Sequence, residues 1–175
     1  SAKLKLFATD QLGTKVKERQ ILEQIKVTEG SLAGIQKQKL KANKLDGDAK
    51  KEALKTIAQQ EKAAKGVIKT LNRQKDAAKE IANNKILIYG KGTKSAPQCG
   101  FTAETVQFFN KYGHPFEVVN VLENMNKREA LSKMTNWPTL PKVFIDGKFY
   151  GDTDILDEME AKGEVEPLLK TAFGE

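Results

Sequence analysis

The 175-residue sequence predicts an α/β domain over residues 85–175, preceded by a basic α-helical extension over residues 1–84 that folds back on itself as a hairpin. Three observations carry this reading. From Lys85 onward, short apolar and partly β-branched runs alternate with stretches of helical period, the order of a small α/β domain. Before Lys85, apolar residues recur every three or four positions over two long stretches separated by turn residues. The charge divides at the same place: residues 1–84 carry 19 Lys/Arg and 10 Asp/Glu, whereas residues 85–175 carry 11 and 13. The length suits two small domains, or one of ordinary size with an appendage.

The first helix is expected from about Thr14 to Leu40, with residues 1–13 as a flexible N-terminus. Ile21, Ile25, Thr28, Leu32 and Ile35 would share one face. Gly30 and Gly34 each weaken that helix by ~1 kcal/mol relative to alanine, so fraying is expected near them. Leu45-Asp46-Gly47-Asp48 supplies turn chemistry, with Asp48 as N-cap of the next helix. That helix should run from about Ala49 to Ala82 on a thin, alanine-rich stripe: Ala53, Ile57, Ala64, Val67, Leu71, Ala78 and Ile81. A short connection leaves the two helices antiparallel neighbours. So small an apolar face does not sustain a hairpin alone, and it must lean on the following domain, a second copy or another protein. Its lysines read as a solvated face, because no aromatics interleave to stack bases; no nucleic-acid partner is expected. No apolar run approaches the ~20 residues of a membrane span, so no membrane partner is expected either. Residues 1–19, Lys-rich with one arginine and two acids, poorly match an Arg-rich, acid-poor organelle presequence.

In the second half, Lys85-Ile-Leu-Ile-Tyr89 reads as a buried strand, and Thr105-Val-Gln-Phe-Phe109 has the spacing of an amphipathic helix that ends near Tyr112-Gly113. Phe116–Val121 is a second strand and Met125–Met134 a helix. Lys142–Ile145 and Lys148–Tyr150 form a hairpin around Asp146-Gly147, a strong turn signal. Short helices near Ile155–Glu160 and Pro167–Ala172 close the chain. Trp137 reads as a packed aromatic, and His114, the only histidine, as a surface loop residue and not a metal ligand.

Cys99 is the only cysteine, which excludes an intramolecular disulfide. It lies in Lys91-Gly-Thr-Lys-Ser-Ala-Pro97-Gln-Cys99-Gly-Phe-Thr102, at a strand-to-helix turn. Unpaired backbone N–H groups and the helix dipole stabilise a thiolate there, and Lys91 and Lys94 would add to that. A reactive or ligating thiol is therefore the preferred reading over inert packing. Thr102 stands where a second cysteine would complete a Cys-x-x-Cys pair, so a mixed disulfide cannot be resolved within the chain.

Pro97-Gln-Cys99-Gly-Phe-Thr102 with Lys91 eight residues before the cysteine, then Trp137-Pro-Thr-Leu-Pro141, then Gly151-Asp-Thr-Asp154, resemble in order the active-site loop, WPTxP and GGxD segments of the monothiol, CGFS-type glutaredoxins. The resemblance covers roughly residues 85–173. It implies a thioredoxin fold, with a four-stranded mixed sheet flanked by helices, and it implies glutathione as ligand. Carried over position by position, Lys91 and Arg128 would meet the glycine carboxylate of glutathione. Pro141 would follow a cis bond, with the Leu140 backbone pairing with the peptide-like ligand. Thr153 and Asp154 would hold the γ-glutamyl end through helix N-terminal N–H groups and a carboxylate. Thr102 replaces the usual serine and Asp152 the second glycine; an aspartate there tolerates a left-handed backbone but brings a charge near the ligand.

The same resemblance implies that Cys99 from two protomers and two glutathione thiols ligate a shared [2Fe–2S] cluster in a homodimer, making the chain a carrier that meets iron–sulfur assembly or recipient proteins. Two alternatives stand beside it: a glutathione-dependent thiol–disulfide oxidoreductase, of at most weak activity, and an interaction module working through the helical hairpin. The mitochondrial matrix is the expected compartment, with plastid or cytosol as alternatives.

Overall fold

The computed structural model describes residues 14–175, with side chains from Lys17 onward. The flexible segment expected over residues 1–13 lies outside the described residues. The elements are α1 (Thr14–Ala42), α2 (Gly47–Ala82), β1 (Ile86–Gly90), α3 (Gly100–Tyr112), β2 (Glu117–Asn120), a 3-10 turn (Val121–Glu123), α4 (Met125–Thr135), β3 (Lys142–Ile145), β4 (Lys148–Phe149), α5 (Thr153–Ala161) and α6 (Val165–Ala172). Two compact units result: Arg19–Lys75, and Asp76–Glu175 together with residues 14–18.

Within Arg19–Lys75, α1 and α2 run antiparallel, as the short connection predicts. Ile21, Ile25 and Ala42 are buried on α1, Ile57 and Leu71 on α2. Polar groups add a second tie. Gln36 Nε2 donates to Glu61 Oε1 at 2.9 Å, Lys39 Nζ to Oε2 at 3.4 Å, and Lys65 lies 3.0 Å from the same carboxylate. These bonds, that of Lys65 foremost, hold the Glu61 carboxyl down to about 2. Three expectations are corrected. Val67 is 48% exposed, while its neighbour Ile68 is half-buried, because the stripe turns by one position there. α1 passes through Gly30 and Gly34 unbroken, since two isolated glycines weaken a long helix without ending it. α2 already begins at Gly47, so Asp48 sits inside its first turn, where a carboxylate favours the helix dipole, and not at the cap.

The second unit is built on a sheet of order β2-β1-β3-β4, with β1 parallel to β2 and antiparallel to β3, and β3 antiparallel to β4. The β3–β4 turn holds Asp146 and Gly147 at φ 49° and 80°, the double positive-φ geometry that an Asp-Gly pair predicts. All five residues of β1 are buried, which is why its sequence reads as a continuous apolar run. Side chains alternate: Ile86 and Ile88 join Val106, Phe109, Val143, Leu156 and Leu169 on one face, and Leu87 and Tyr89 join Leu131, Trp137, Phe144 and Ile155 on the other.

That second face is completed by the end of α2. Ala77 and Ile81 belong to the same core, at 1% and 0% exposure. Glu80, between them, accepts a hydrogen bond from the Tyr89 hydroxyl at 2.7 Å and one from Lys127 Nζ of α4 at 3.1 Å. The last two turns of α2 therefore belong with the sheet, and the division between the units falls between Lys75 and Asp76, ahead of the one expected at residue 84.

Candidate functional site

β1 delivers the chain to the site at Gly90, and α3 leaves from Cys99. The approach is close: a Cβ at Gly90 would fall 2.7 Å from Thr102 Cγ2, so only glycine lets the start of α3 pack on the strand end. The Thr102 hydroxyl in turn accepts the Lys91 N–H at 3.1 Å. The intervening loop closes on itself through Gln98 N–H to Lys91 C=O at 2.8 Å. Gly92, at φ +92°, could carry no Cβ without meeting Ala96 O and Gln98 N at 2.5 Å. Asn120, at the end of β2, anchors this loop by accepting the Gly92 N–H at 3.0 Å.

Cys99 is the N-cap of α3. Its Sγ accepts the Thr102 N–H at 3.4 Å and lies 3.1 Å from the Thr102 hydroxyl. Partial burial by itself would raise the thiol. The Thr102 hydroxyl and N–H, the Lys91 charge and the Phe101 N–H more than offset that and hold it below its ordinary value. A half-exposed thiolate at a helix start is a nucleophile and a metal ligand. Lys94 does not share this work. Its Nζ donates to the Phe116 carbonyl at 3.0 Å and sits 3.8 Å from the Phe116 ring centre, so it braces the loop against the chain leading into β2.

Beside Cys99, two residues on at Phe101, opens a groove of 320 Å3 lined by Lys91, Phe101 and Arg128, by Pro138, Thr139 and Leu140, and by Asp152, Thr153 and Asp154. It brings together five of the residues singled out from sequence: Lys91, Arg128, Leu140, Thr153 and Asp154. Pro141 is buried behind it, and the Leu140–Pro141 bond is cis. Cys99 is not itself a lining residue. The groove thus faces a ligand with two cations, from the end of β1 and from α4, and with carboxylates and a helix N-terminus at the start of α5.

Asp152 departs from its sequence reading. The left-handed residue is Gly151, at φ 73°, whereas Asp152 is extended at φ −122° and serves as N-cap of α5. His114 is itself half-buried between exposed Gly113 and Pro115, and its ring stacks on Phe173 with centres 4.3 Å apart. Trp137 is packed as expected, 2% exposed and edge-on to Phe149. Among the described residues no group of three His, Cys, Asp or Glu is placed to hold a metal ion.

Two supports of the site escaped the sequence reading. Thr105 and Thr153 share a buried hydroxyl–hydroxyl hydrogen bond of 2.7 Å that ties α3 to α5, and nothing in an amphipathic helix distinguishes such a threonine. Lys142 opens β3 yet is 1% exposed; its Nζ donates to the Trp137 carbonyl, and to that of Thr139 at 2.9 Å. A lysine at a strand's start ordinarily leads to solvent, so only the fold reveals it.

The glutaredoxin family model matches residues 86–150. A monothiol glutaredoxin of Synechocystis sp. is 40% identical over 93 residues, which are 53% of this chain and 87% of that one. Glutaredoxin 4 of Buchnera aphidicola is 47% identical over 90 residues, 51% of this chain and 83% of its own. Among solved structures, reduced apo GrxS14 from poplar superposes with a TM-score of 0.52 at 38% identity, covering 57% of this chain and 92% of that one.

Proposed function

Because the chain belongs to the glutaredoxin family, among relatives of the monothiol kind, we propose that it holds glutathione in the groove beside Cys99 and, as a dimer, carries a [2Fe–2S] cluster that it hands on. The observation that carries this reading is the convergence of Lys91, Arg128, Leu140, Thr153 and Asp154 on one groove next to a thiol held below its ordinary value. Glutathione is an extended tripeptide with two carboxylates and an ammonium. The guanidinium fork of Arg128 and the point charge of Lys91 suit its glycine carboxylate. The Leu140 backbone suits its cysteinyl amide, and the Asp154 carboxylate its ammonium.

A [2Fe–2S] cluster takes four thiolates, and one chain has one. Two Cys99 thiolates and two glutathione thiols complete the set across a dimer. Ligands that are half borrowed release their cargo readily, so assembly and recipient proteins are the partners, and a compartment that keeps thiols reduced is the setting; we place it in the mitochondrial matrix, with plastid or cytosol as the alternatives. Anaerobic incubation with iron, sulfide and glutathione should give a coloured species of twice the protomer mass, absent without glutathione and in Cys99→Ser. A colourless monomer under those conditions overturns the carrier.

The lowered thiol supports a second reaction at the same site. The Cys99 thiolate attacks the glutathione sulfur of a mixed disulfide, that S–S bond breaks, and the target leaves as a thiolate. A second glutathione thiolate then attacks the Cys99–glutathione disulfide, releasing oxidised glutathione and restoring Cys99. Turnover in a glutathione-dependent reduction assay, beside the reconstitution, weighs the two: cluster with negligible turnover makes the chain a carrier, and turnover without cluster an oxidoreductase.

A further inference from the structure

The start of α5 is a wall of the groove, and one of its backbone donors is already in use. Asp152, 5% exposed, turns one carboxylate oxygen, Oδ1, to the Asp154 N–H at 3.1 Å. Its other oxygen, Oδ2, accepts the Thr139 hydroxyl at 3.3 Å. The carbonyl of Thr139 accepts from Lys142 Nζ at 2.9 Å, and the Lys142 ammonium is attracted by Asp152. Both oxygens of Asp152 are thus engaged, one by the helix and one by the loop that carries Leu140, with a buried cation nearby.

Helix starts attract anions because their N–H groups lack partners. Here the chain supplies the anion itself. Lys142 offsets part of the Asp152 charge, but it cannot return the Asp154 N–H to a ligand. We propose that Asp152 determines ligand specificity in this groove: by taking up the Asp154 N–H it weakens that wall's hold on the α-carboxylate of a glutathione-like thiol while leaving the wall able to take the ammonium beside it. The ligand class is then a γ-linked thiol peptide recognised at this wall chiefly by its amine, so derivatives that lack the α-carboxylate or carry it masked as an amide should bind nearly as well as glutathione. This rests on the reading of the groove as a glutathione site.

The test uses the full chain with Cys99→Ser, so that no disulfide forms, and titration calorimetry with two ligands. One is S-methylglutathione; the other is its analogue with 4-aminobutyryl in place of the γ-glutamyl group, which differs only by the α-carboxylate. The two should bind within about threefold of each other, because an unused carboxylate adds little. Asp152→Gly frees the Asp154 N–H at a small capping cost and should tighten S-methylglutathione roughly tenfold while leaving the analogue unchanged. Asp152→Asn keeps an oxygen on the N–H and should keep the near-equal pair. If Asp152→Gly fails to fold, Asp152→Ala vacates the same donor. A tenfold preference for S-methylglutathione before any change at Asp152, or a ligand ratio that Asp152→Gly and Asp152→Ala both leave unmoved, overturns the proposal. Binding of neither ligand overturns the glutathione reading itself, and with it this one.

Discussion

Cys99 owes its character to three neighbours, and the side chains of two of them, Thr102 and Lys91, can be removed singly. Since the thiol is held below its ordinary value, its alkylation rate by iodoacetamide should rise with pH and level off below the midpoint of a free cysteine. Thr102→Val is nearly isosteric in a fully buried position and removes the hydroxyl that lies 3.1 Å from Sγ, so the midpoint should move up. Lys91→Ala should move it up as well, by less, because a charge across solvent is screened; a midpoint unmoved by either change would mean that the helix start alone sets the thiol. Lys142 makes the opposite case. Burial first, and then the Arg128 charge, push its amine down to about 8, while Asp152 works against them. An amine whose folded value is depressed binds fewer protons when folded than when unfolded between about 8 and about 10.4, so stability contributed there rises as pH climbs through that window. The gain in Tm between pH 7 and pH 9.5 should therefore be larger in the wild type than in Lys142→Met, and equal gains would remove Lys142 from the account. Residue identity could not have separated Lys91 from Lys94, three positions apart in one loop; the turn at Gly92 sends one toward the thiol and the other to Phe116.

Among the elements, α2 is the one whose role changes along its length. Through Lys75 it belongs to the hairpin, and from Asp76 it closes one face of the sheet. Ile81, fully buried against that core, should cost the α/β unit about 2–5 kcal/mol when cut to alanine, as large-to-small changes in cores do. The measurement is thermal or denaturant unfolding followed at Trp137, which lies in the same cluster, and a cost below about 0.5 kcal/mol would mean the helix end is a lodger and not part of the core. Much of this architecture was legible in the sequence. β1 and β3 announced themselves as apolar runs, Asp146-Gly147 fixed the hairpin turn, and the resemblance to the monothiol glutaredoxins implied five residues that line the groove. What stayed hidden depends on through-space company. The stripe on α2 reads as continuous, yet it serves two surfaces that change over near Lys75, and within the hairpin part Ile68 takes the place expected for Val67. Asp152 looks like a misfit in a glycine's place because the partner of its second oxygen, Thr139, is brought to it by the fold and not by local pattern.

At the scale of the whole molecule the two units differ in how deeply they are built. The hairpin buries its best residues only to 5–9% exposure, Ile21, Ile25, Ile57 and Leu71 among them, whereas Ile81, Leu87, Ile88, Tyr89, Val143 and Ile145 are sealed at 0%. The charge follows the same line, since the excess of Lys and Arg lies before residue 85. Native proteins open locally in units whose free energy reflects the apolar surface each one buries, and amide exchange reports those units separately. In proteins most of a helix's stability comes from the packing of its apolar face. It follows that α2, though a single continuous helix, should exchange as two. Amides over residues 49–75 should exchange with the hairpin, those over 76–82 should be protected with β1 and β3, and the step should fall near Lys75. Lowering the stability of the sheet with Ile81→Ala should bring the protected segment down toward the other and leave the hairpin amides as they were. Hydrogen exchange read by mass spectrometry on peptides spanning residues 60–90 resolves the step. Uniform protection along the whole of α2 would mean that the hairpin and the sheet open as one cooperative body, and the separation of the chain into two units would fail as a description of its energetics.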